Sequence, residues 1–460
     1  MPESPGTAER QQPEIEGCPM AMAMSVGERC GQPLYNALAG VDEEPVCLMH
    51  SRDPNKDKQA FQQEIERILE VAGNGLADFS GYVFPEAQYR GRKFKAKCLF
   101  WKVIFTQGAL FTSSNFSQEV NFTGAIFIQA ADFMGVTFAQ EAIFAEATFT
   151  RGAFFFGATF TREVYFTAAR FPEFADFRAA TFLSGAWYKE TKFRKDVEQI
   201  GAVFDSARFE KPEKVRFYKT HLEQALFHNC DVSRVDFSNV EWRRRPGNQK
   251  RMLFEEVVSL ENATARDLKP PEGSADERNY ALIAETYQQL KKNYDDRRDY
   301  WTAGDFHYGE MEMKRLSSGY RNWVLRWLHR KLGLAAWYKY ASEYGESYVR
   351  PAVWLGIVLL VFSLLYPVAG LDPNGRNPAS EISYRNFSEF LSSHPKGAWW
   401  GTAAFFGHSL MTAVSVMAFQ REFEYAPAYP WGWLLRLLQL LLSSTLIALF
   451  LLAVRRQFRR

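Results

Sequence analysis

The most constraining feature of the sequence is a ladder of aromatic residues between positions 94 and 204. Every eleventh residue from Phe94 to Phe204 is Phe. A second series, offset by six residues, runs from Phe100 to Tyr188, so that aromatic residues follow one another at alternating spacings of six and five. Neither the 3.6-residue period of a helix nor the two-residue period of a simple strand produces this pattern.

Small residues accompany the ladder. Ala, Val, Ser, Thr or Cys stands two residues before each aromatic of both series, and Arg92 is the exception. A chain that turns a corner every five or six residues sends one large and one small side chain inward on each face. Four faces give about 22 residues per coil, and successive coils stack about 4.8 Å apart. The pattern therefore predicts a β-solenoid of roughly seven coils over residues 73–242.

The tandem A-x-F motif at five-residue steps, as in Ala109 to Phe111 or Ala158 to Phe160, resembles the pentapeptide-repeat family. The form is Phe-rich, with an extra residue in every second unit. The resemblance implies a right-handed quadrilateral β-helix. It implies no activity, because function is not a property of the fold.

Composition narrows the functional classes. A chain of 460 residues is expected to be multidomain. Its 55 Lys and Arg balance 53 Asp and Glu, which gives no support to a nucleic-acid binder. No P-loop, zinc-protease or serine-hydrolase signature is present, so we expect no enzyme. Residues 1–16 are polar and are expected to be a disordered tail without an export signal, which favours reduced cysteines.

A candidate metal site precedes the ladder. Cys18, Cys30, Cys47 and His50 have the spacing C-x11-C-x16-C-x2-H. Four nitrogen and sulfur ligands fill a tetrahedral zinc site and leave no open position. We therefore predict a structural zinc module over residues 17–72, ending in a short amphipathic helix. The alternative is a set of unrelated buried or free thiols.

Helices are predicted beyond the solenoid. Residues 243–350 read as a helical linker followed by an α-helical hairpin, with apolar positions at Tyr280, Ile283, Tyr287 and Leu290. The hairpin resembles a tetratricopeptide unit. One hairpin cannot bury its own apolar face. We expect it to dock on the solenoid, on the membrane segment or on another subunit.

Residues 351–460 are predicted to form an α-helical transmembrane domain, because about 20 apolar residues cross a bilayer. Lys and Arg number eight over 314–350 but three over 371–398, and four end the chain. This asymmetry predicts that both termini lie in the cytoplasm. We therefore expect a multi-pass protein of the cell inner membrane. Two crossings, 351–370 and 431–454, satisfy it. The uncharged stretch 398–419 is then a re-entrant helix.

The order of helix, re-entrant segment and helix resembles the two-helix potassium-channel family. Thr412 matches the first Thr of the run T-x-T-T-x-G-Y-G, and Ser415 stands for a later one. Met417 and Phe419 replace the two glycines, so the channel's selectivity is not carried over. The resemblance implies a homo-oligomer, as a tetramer. The pore-lining candidates are Thr412, Ser415, Met417, Phe419, Gln439 and Ser443.

Two functions remain open at this point. The first is an ion-channel-like membrane pore, with the cytoplasmic solenoid and zinc module as a sensor or gate. The second is a membrane-tethered scaffold whose solenoid binds a cytosolic partner without conducting ions. The segment ESYVRPAVWL, residues 346–355, also resembles bacterial proteins that join pentapeptide repeats to such a pore domain.

Overall fold

The computed structural model describes residues 17–20, 30–35, 41–195, 199–257, 279–317, 322–373, 399–420 and 425–458. The chain divides into two compact units. The first comprises Met1–Arg297 and Asp305–Glu310, and the second comprises Arg298–Gly304 and Met311–Arg460. The predicted disordered tail, residues 1–16, lies outside the described residues.

The first unit is built on a solenoid of four faces, and each face is a parallel sheet of short strands from successive coils. The first face contains Leu76–Asp78, Lys97–Leu99, Val120–Asn121, Ala142–Ile143, Val164–Tyr165, Ala186–Lys189, Val215–Tyr218 and Asp236–Ser238. The second contains Val83–Phe84, Ile104–Phe105, Ile126–Phe127, Thr148–Phe149, Arg170–Phe171 and Lys192–Phe193. The third contains Ala87–Gln88, Ala109–Leu110, Ala131–Asp132, Ala153–Phe154, Ala175–Asp176, Ala202–Val203 and Ala225–Leu226. The fourth contains Lys93–Phe94, Asn115–Phe116, Thr137–Phe138, Thr159–Phe160, Thr181–Phe182 and Arg208–Phe209.

The aromatic ladder forms the interior of this solenoid. The rings of Phe100 and Phe122 lie 4.7 Å apart at an interplanar angle of 4°. Phe127 and Phe149 lie 4.6 Å apart at 1°. These spacings match the separation of neighbouring strands, so each ring stacks on the equivalent ring of the next coil. The prediction of a β-solenoid of about seven turns is confirmed.

The corners explain the alternation of five and six residues. Each five-residue step contains a turn whose third residue has positive φ, for example Lys102 at 52° after Phe100 and Gly124 at 66° after Phe122. The six-residue steps turn through a bend without such a residue. The two corner types therefore differ by one residue, and the sequence period alternates with them.

The 22-residue offset between stacked rings is lost towards the C-terminal end of the solenoid. Phe177 stacks on Phe204 at 5.0 Å, although these residues are 27 positions apart instead of 22. The insertion before Phe204 moves it from the stack of Phe182 to the stack of Phe177. An insertion of five residues equals one face of the coil, so the eleven-residue spacing continues through Phe204 although the stack changes.

Helices cover the two ends of the solenoid. Helix α1 (Lys58–Ala72) begins at the N-cap Asp57. Its Phe61 ring packs edge-on against Phe84 of the first coil, at 5.0 Å. At the other end, Asn293 of helix α2 (Tyr280–Asp296) donates hydrogen bonds to the carbonyl oxygens of Val232 and Val235. Both ends of the aromatic core are therefore covered, as a stacked solenoid requires.

Short elements connect the solenoid to α2 and onward. A small antiparallel pair joins Arg243–Arg244 to Arg251–Met252, and the 3-10 turn Phe254–Glu256 follows it. Another 3-10 turn, Pro212–Lys214, lies within the solenoid before the strand Val215–Tyr218. Helix α3 (Tyr300–Leu316) follows α2, so the predicted hairpin is present. Its Phe306 ring packs on Trp242 at 5.4 Å, which settles the predicted docking in favour of the solenoid end.

The second unit is mainly helical. Its further helices are α4 (Trp323–Leu332), α5 (Leu334–Ser342), α6 (Val349–Ala369), α7 (Trp399–Met417) and α8 (Pro430–Phe458). A short antiparallel strand pair, Leu371–Pro373 with Tyr425–Pro427, ties the end of α6 to the start of α8. Among the described residues, α6 and α8 are long and apolar enough to cross a membrane. 

Candidate metal centre and membrane helices

The structure brings the four predicted metal ligands together. The ligand atoms of Cys18, Cys30, Cys47 and His50 all lie within 4.8 Å of one another. His50 Nδ1 is 3.2 Å from Cys47 Sγ and 3.5 Å from Cys18 Sγ, and the Sγ atoms of Cys30 and Cys47 are 3.8 Å apart. Tetrahedral bond lengths to zinc of about 2.3 Å for sulfur and 2.0 Å for nitrogen give S–S and S–N separations of about 3.8 and 3.5 Å. The cluster therefore fits a zinc ion.

Local backbone hydrogen bonds place these side chains. The amides of His50 and Ser51 both donate to the carbonyl oxygen of Cys47, which closes a tight turn and puts Cys47 and His50 on the same side. The Cys18 amide donates to the carbonyl oxygen of Gln32, and the Cys30 amide donates to that of Met20. The Cys47–His50 pair and the Cys18–Cys30 pair are thus positioned by short-range backbone hydrogen bonds. The C-x2-H spacing alone does not specify these bonds.

The second ring nitrogen of His50 is fixed by the solenoid. His50 Nε2 lies 3.0 Å from the carbonyl oxygen of Ser80, and the ring packs edge-on against Tyr82 at 5.0 Å. When Nε2–H donates to a carbonyl, Nδ1 is free to bind a metal, which is the usual second-shell arrangement. A Cβ at Gly81, where φ is +69°, would lie 3.3 Å from His50 Cδ2. The first coil therefore helps to build the metal site.

The thiols influence one another. The hydrogen bond with Cys30 raises the pKa of Cys47 to about 12, and the same contact lowers the pKa of Cys30. Burial raises the pKa of Cys18. A divalent cation removes this competition, because all three sulfurs then bind as thiolates.

A buried lysine ties the same region to the solenoid. Lys56 Nζ donates to the carbonyl oxygens of Leu48, Ser51 and Val83, at 3.0, 2.9 and 2.6 Å. The Val83 amide in turn donates to the carbonyl oxygen of Met49. Nothing in the sequence pattern indicated this lysine. The module and the first coil share both backbone and side-chain hydrogen bonds.

In the second unit, Gln439 joins three helices. Its side chain is fully buried. Gln439 Nε2 donates to the carbonyl oxygen of Ala413 on α7 at 2.8 Å, and the Tyr366 hydroxyl of α6 donates to Gln439 Oε1 at 2.6 Å. Every polar atom of the amide except one N–H is thus paired inside one chain. Sequence reasoning identified Gln439 but missed Tyr366.

The other pore-lining candidates lie in different environments. Ser443 and Thr412 are buried within the helices of one chain, and the Thr412 hydroxyl donates to the carbonyl oxygen of His408. Ser415 and Met417 are half-buried on α7, and Phe419 is 54% exposed. Three of the six candidates, Thr412, Gln439 and Ser443, are therefore buried within the described helices of one chain, and the other three are partly or largely exposed.

The path of α7 is set by its contacts. The His408 ring lies 4.9 Å from Tyr425, which belongs to the strand pair at the end of α6. Ala413, further along α7, contacts Gln439, nine residues into α8. Val416 packs in the same buried cluster as Phe362 of α6. His408 therefore lies beside the strand pair, and the second half of α7 packs on α6 and α8, with Val416 in the same buried cluster as Tyr425.

The end of α7 occupies the position of the channel filter in the sequence comparison. The amides of Ala418, Phe419 and Gln420 donate to the carbonyl oxygens of Val414, Val416 and Ser415. Phe419 adopts a left-handed conformation with φ of 57°. These three carbonyl oxygens accept hydrogen bonds at the C-terminal end of α7. They do not form a row of free oxygens like a potassium filter.

Comparison with known proteins bears on the solenoid. Residues 100–148 match the family model for pentapeptide repeats, in nine copies. A search with the chain against curated proteins finds no match. The matched residues are the segment in which successive Phe rings stack coil upon coil. The chain thus carries pentapeptide repeats folded as a four-sided β-solenoid, joined to C-terminal helices of which two are long and apolar enough to span a membrane.

Proposed function

We propose that the protein is an ion-channel-like membrane pore. In this proposal α6 and α8 cross the cell inner membrane, α7 enters and leaves on one side, and several chains surround a common axis. The solenoid and the metal module lie in the cytoplasm, together with both termini, and act as a sensor or gate.

The path of α7 carries this proposal. Its contacts with Tyr425 and with Gln439 support a chain that descends beside α8 and returns towards its starting level. A membrane anchor needs only spanning helices. A helix that enters and returns is tolerated at membrane depth where protein or a water-filled cavity surrounds it.

The outer surface of α6 and α8 supports the membrane setting. Leu360 and Leu364 on α6 are 62% and 58% exposed, and Leu441 and Leu452 on α8 are both 57% exposed. Leucines turned outward while Gln439 is turned inward suit a hydrocarbon solvent, in which polar groups are satisfied between helices.

The constriction of such a pore would be apolar. Met417 is the last residue of α7 and Phe419 follows it closely, and the carbonyls of Val414, Ser415 and Val416 just before them accept hydrogen bonds. A hydrophobic constriction closes a pore by dewetting. Conduction through it would discriminate weakly between potassium and sodium, because no ring of free carbonyls replaces the hydration shell.

We also propose that zinc occupies the Cys18, Cys30, Cys47 and His50 site. Its role is structural, because four protein ligands leave no position for water or substrate. The hydrogen bond from His50 to Ser80 makes the metal part of the cap on the first coil.

The scaffold function remains the second candidate, and the placement of Gln439 and Ser443 favours it. Both side chains are fully buried within one chain. Gln439 is hydrogen-bonded within one chain and needs no further subunit for that purpose, whereas the buried Ser443 hydroxyl has no hydrogen-bond partner among the described residues. The helices would then act as an anchor, and the solenoid would present its surface to a cytosolic partner.

Conductance in planar bilayers separates the two functions. The native chain and Met417→Ser are compared with Met411→Ser, which changes a methionine that is 59% exposed on α7. We expect weak potassium-to-sodium discrimination and a larger leak from Met417→Ser alone, because a polar side chain wets the constriction. Strong potassium selectivity would refute the filter argument. No current from the native chain or from Met417→Ser, in a confirmed oligomer, would favour the scaffold.

A further inference from the structure

Helix α4 has an apolar face that is exposed in the described part of the chain. Val324, Leu325, Leu328 and Leu332 are 41%, 50%, 39% and 56% exposed. At 100° per residue they occupy one side of the helix, and Arg326, His329 and Arg330 occupy the other. An amphipathic helix with aliphatic residues on one side and basic residues on the other is typical of a membrane surface.

A basic cavity of about 380 Å³ lies where α3 ends and α4 begins. Its lining residues are Arg315, Leu316, Trp323, Arg326, Trp327, Arg330 and Lys331. None of these is acidic, and four are cationic. Arg330 Nη2 donates to the carbonyl oxygen of Leu316 at 2.8 Å, and Arg315 donates to the carbonyl oxygen of Arg330. These two bonds hold the walls of the cavity together.

One acidic residue, Glu312, pairs with a residue of the cavity lining. Glu312 pairs with Arg315 and with Lys339 and accepts a hydrogen bond from the Tyr344 hydroxyl. Burial opposes the ionised form of Glu312, but these cations prevail and lower its pKa to about 2. The carboxylate therefore offsets Arg315, one of four cationic residues in a lining that includes no acidic residue.

The position of α4 follows from α5, which comes directly after it. The Trp354 indole at the start of α6 donates to the carbonyl oxygen of Tyr340 on α5 at 3.2 Å. Glu346 pairs with Arg456 near the end of α8 at 2.9 Å. The segment from α4 to α6 therefore adjoins the end of the bundle where α6 begins and α8 ends. In a membrane that end lies at the bilayer surface.

We infer that this cavity binds the phosphate headgroup of an anionic phospholipid from the surrounding bilayer. Arg326, Arg330 and Lys331 contact the phosphate through charge-assisted hydrogen bonds. The apolar face of α4 lies in the boundary between headgroups and acyl chains. The inference rests on the proposed placement of α6 and α8 in a membrane, and it does not depend on conduction.

Lipid binding to the full-length chain tests the inference. The chain is purified in detergent and titrated with dioctanoyl-phosphatidylglycerol or dioctanoyl-phosphatidylcholine, and bound lipids are counted by native mass spectrometry. We expect the native chain to prefer phosphatidylglycerol. The triple variant Arg326→Gln/Arg330→Gln/Lys331→Gln should bind it at least about tenfold more weakly, because each cation at a membrane surface contributes separately.

Matched control variants distinguish a specific lipid site from a general effect of positive charge on lipid binding. Arg170→Gln/Lys189→Gln/Lys192→Gln removes three exposed charges from the solenoid and should leave lipid binding unchanged. Arg326→Lys/Arg330→Lys keeps the charge and should retain most of the preference. Equal binding by the native chain and by the Gln triple variant would overturn the inference. Displacement of the lipid by an equal concentration of inorganic phosphate would also overturn it, because the site would then be one for free phosphate.

The cell fraction in which the whole chain is found distinguishes the membrane placement from the lipid site. Native chain found in the soluble fraction of cells would overturn the membrane placement and this inference together. Membrane-bound chain without a preference for phosphatidylglycerol would overturn the lipid site alone.

Discussion

The solenoid and the C-terminal helices bury side chains according to opposite rules. In the solenoid, large apolar rings such as Phe122 and Phe144 are turned inward and stack at 5.0 Å. In the helical unit, leucines such as Leu360 and Leu441 are turned outward, and the polar Gln439 is buried. The first arrangement is stable in water. The second is suited to a bilayer, where the driving force for burying apolar side chains between helices is absent.

The difference also concerns the range of the contacts. Each solenoid coil contacts its immediate neighbours, so stability is close to a sum of coil and interface contributions. The helical unit depends on single contacts between distant residues, such as Tyr366 with Gln439. A substitution in the solenoid should therefore act locally, whereas one at Gln439 should affect three helices at once. Three substitutions test this comparison, in order of expected effect.

The largest effect should come from the metal module. We expect purified protein to hold about one zinc per chain. Cys47→Ser removes a ligand and should release the metal, whose binding in structural sites is worth about 10–16 kcal/mol. Residues 17–55 should become susceptible to proteolysis while the solenoid stays folded. Metal analysis and limited proteolysis measure both results.

Cys98→Ser is the matched control for this change. Cys98 is fully buried in the solenoid, and its thiol donates to the carbonyl oxygen of Ala96. A serine hydroxyl can make the same hydrogen bond, so zinc content should not change. Native protein that is purified without chelator and contains no zinc would rule out the zinc site.

The second effect concerns the aromatic interior. Phe144 is fully buried, so Phe144→Ala should leave a cavity and lower the free energy of unfolding by about 3–5 kcal/mol. Phe154→Ala should cost less, because Phe154 is half-buried outside both ladders and packs on Phe174. Denaturant unfolding monitored on the solenoid gives both values. Equal losses from the two changes would contradict the inward assignment of Phe144.

The smallest effect is expected in the helical unit. Gln439→Leu leaves the Tyr366 hydroxyl and the Ala413 carbonyl without their buried partner. We expect a loss of about 1–3 kcal/mol, seen as a lower unfolding temperature of the detergent-solubilised helices. Thr445→Val is the control, since this exposed hydroxyl bonds only within its own helix. A greater loss from Thr445→Val would argue against the three-helix junction.

The sequence was sufficient for the solenoid because its contacts recur at a fixed offset. The ladder aromatics from Phe94 to Phe193 follow the predicted 22-residue offset, and Phe204 departs from it because five inserted residues preserve the eleven-residue count. Counting residues cannot distinguish that insertion from one further face. The metal ligands were also predictable, since their residue types are rare and closely spaced.

The helical unit was predictable only in outline. Apolar length indicated α6 and α8, but length does not say which face of a helix meets another helix. Gln439 and Ser443 were predicted to line a pore, and they lie inside one chain because α6 and α7 cover that face. The strand pair of Leu371–Pro373 with Tyr425–Pro427 joins residues more than 50 positions apart, and no local sequence pattern predicts it.

Cysteine accessibility on either side of the membrane tests the central claim most directly. Single cysteines at Ser347, Ser392, Ala428 and Gln457 are exposed in intact cells to a membrane-impermeant maleimide, with the native chain as the blank. If α6 and α8 cross and α7 re-enters, Ser392→Cys and Ala428→Cys should both label from outside, and Ser347→Cys and Gln457→Cys should label only after the cells are opened. Labelling of Ser392→Cys and Ala428→Cys from opposite sides, or of Gln457→Cys from outside, would make α7 a crossing helix and contradict the account.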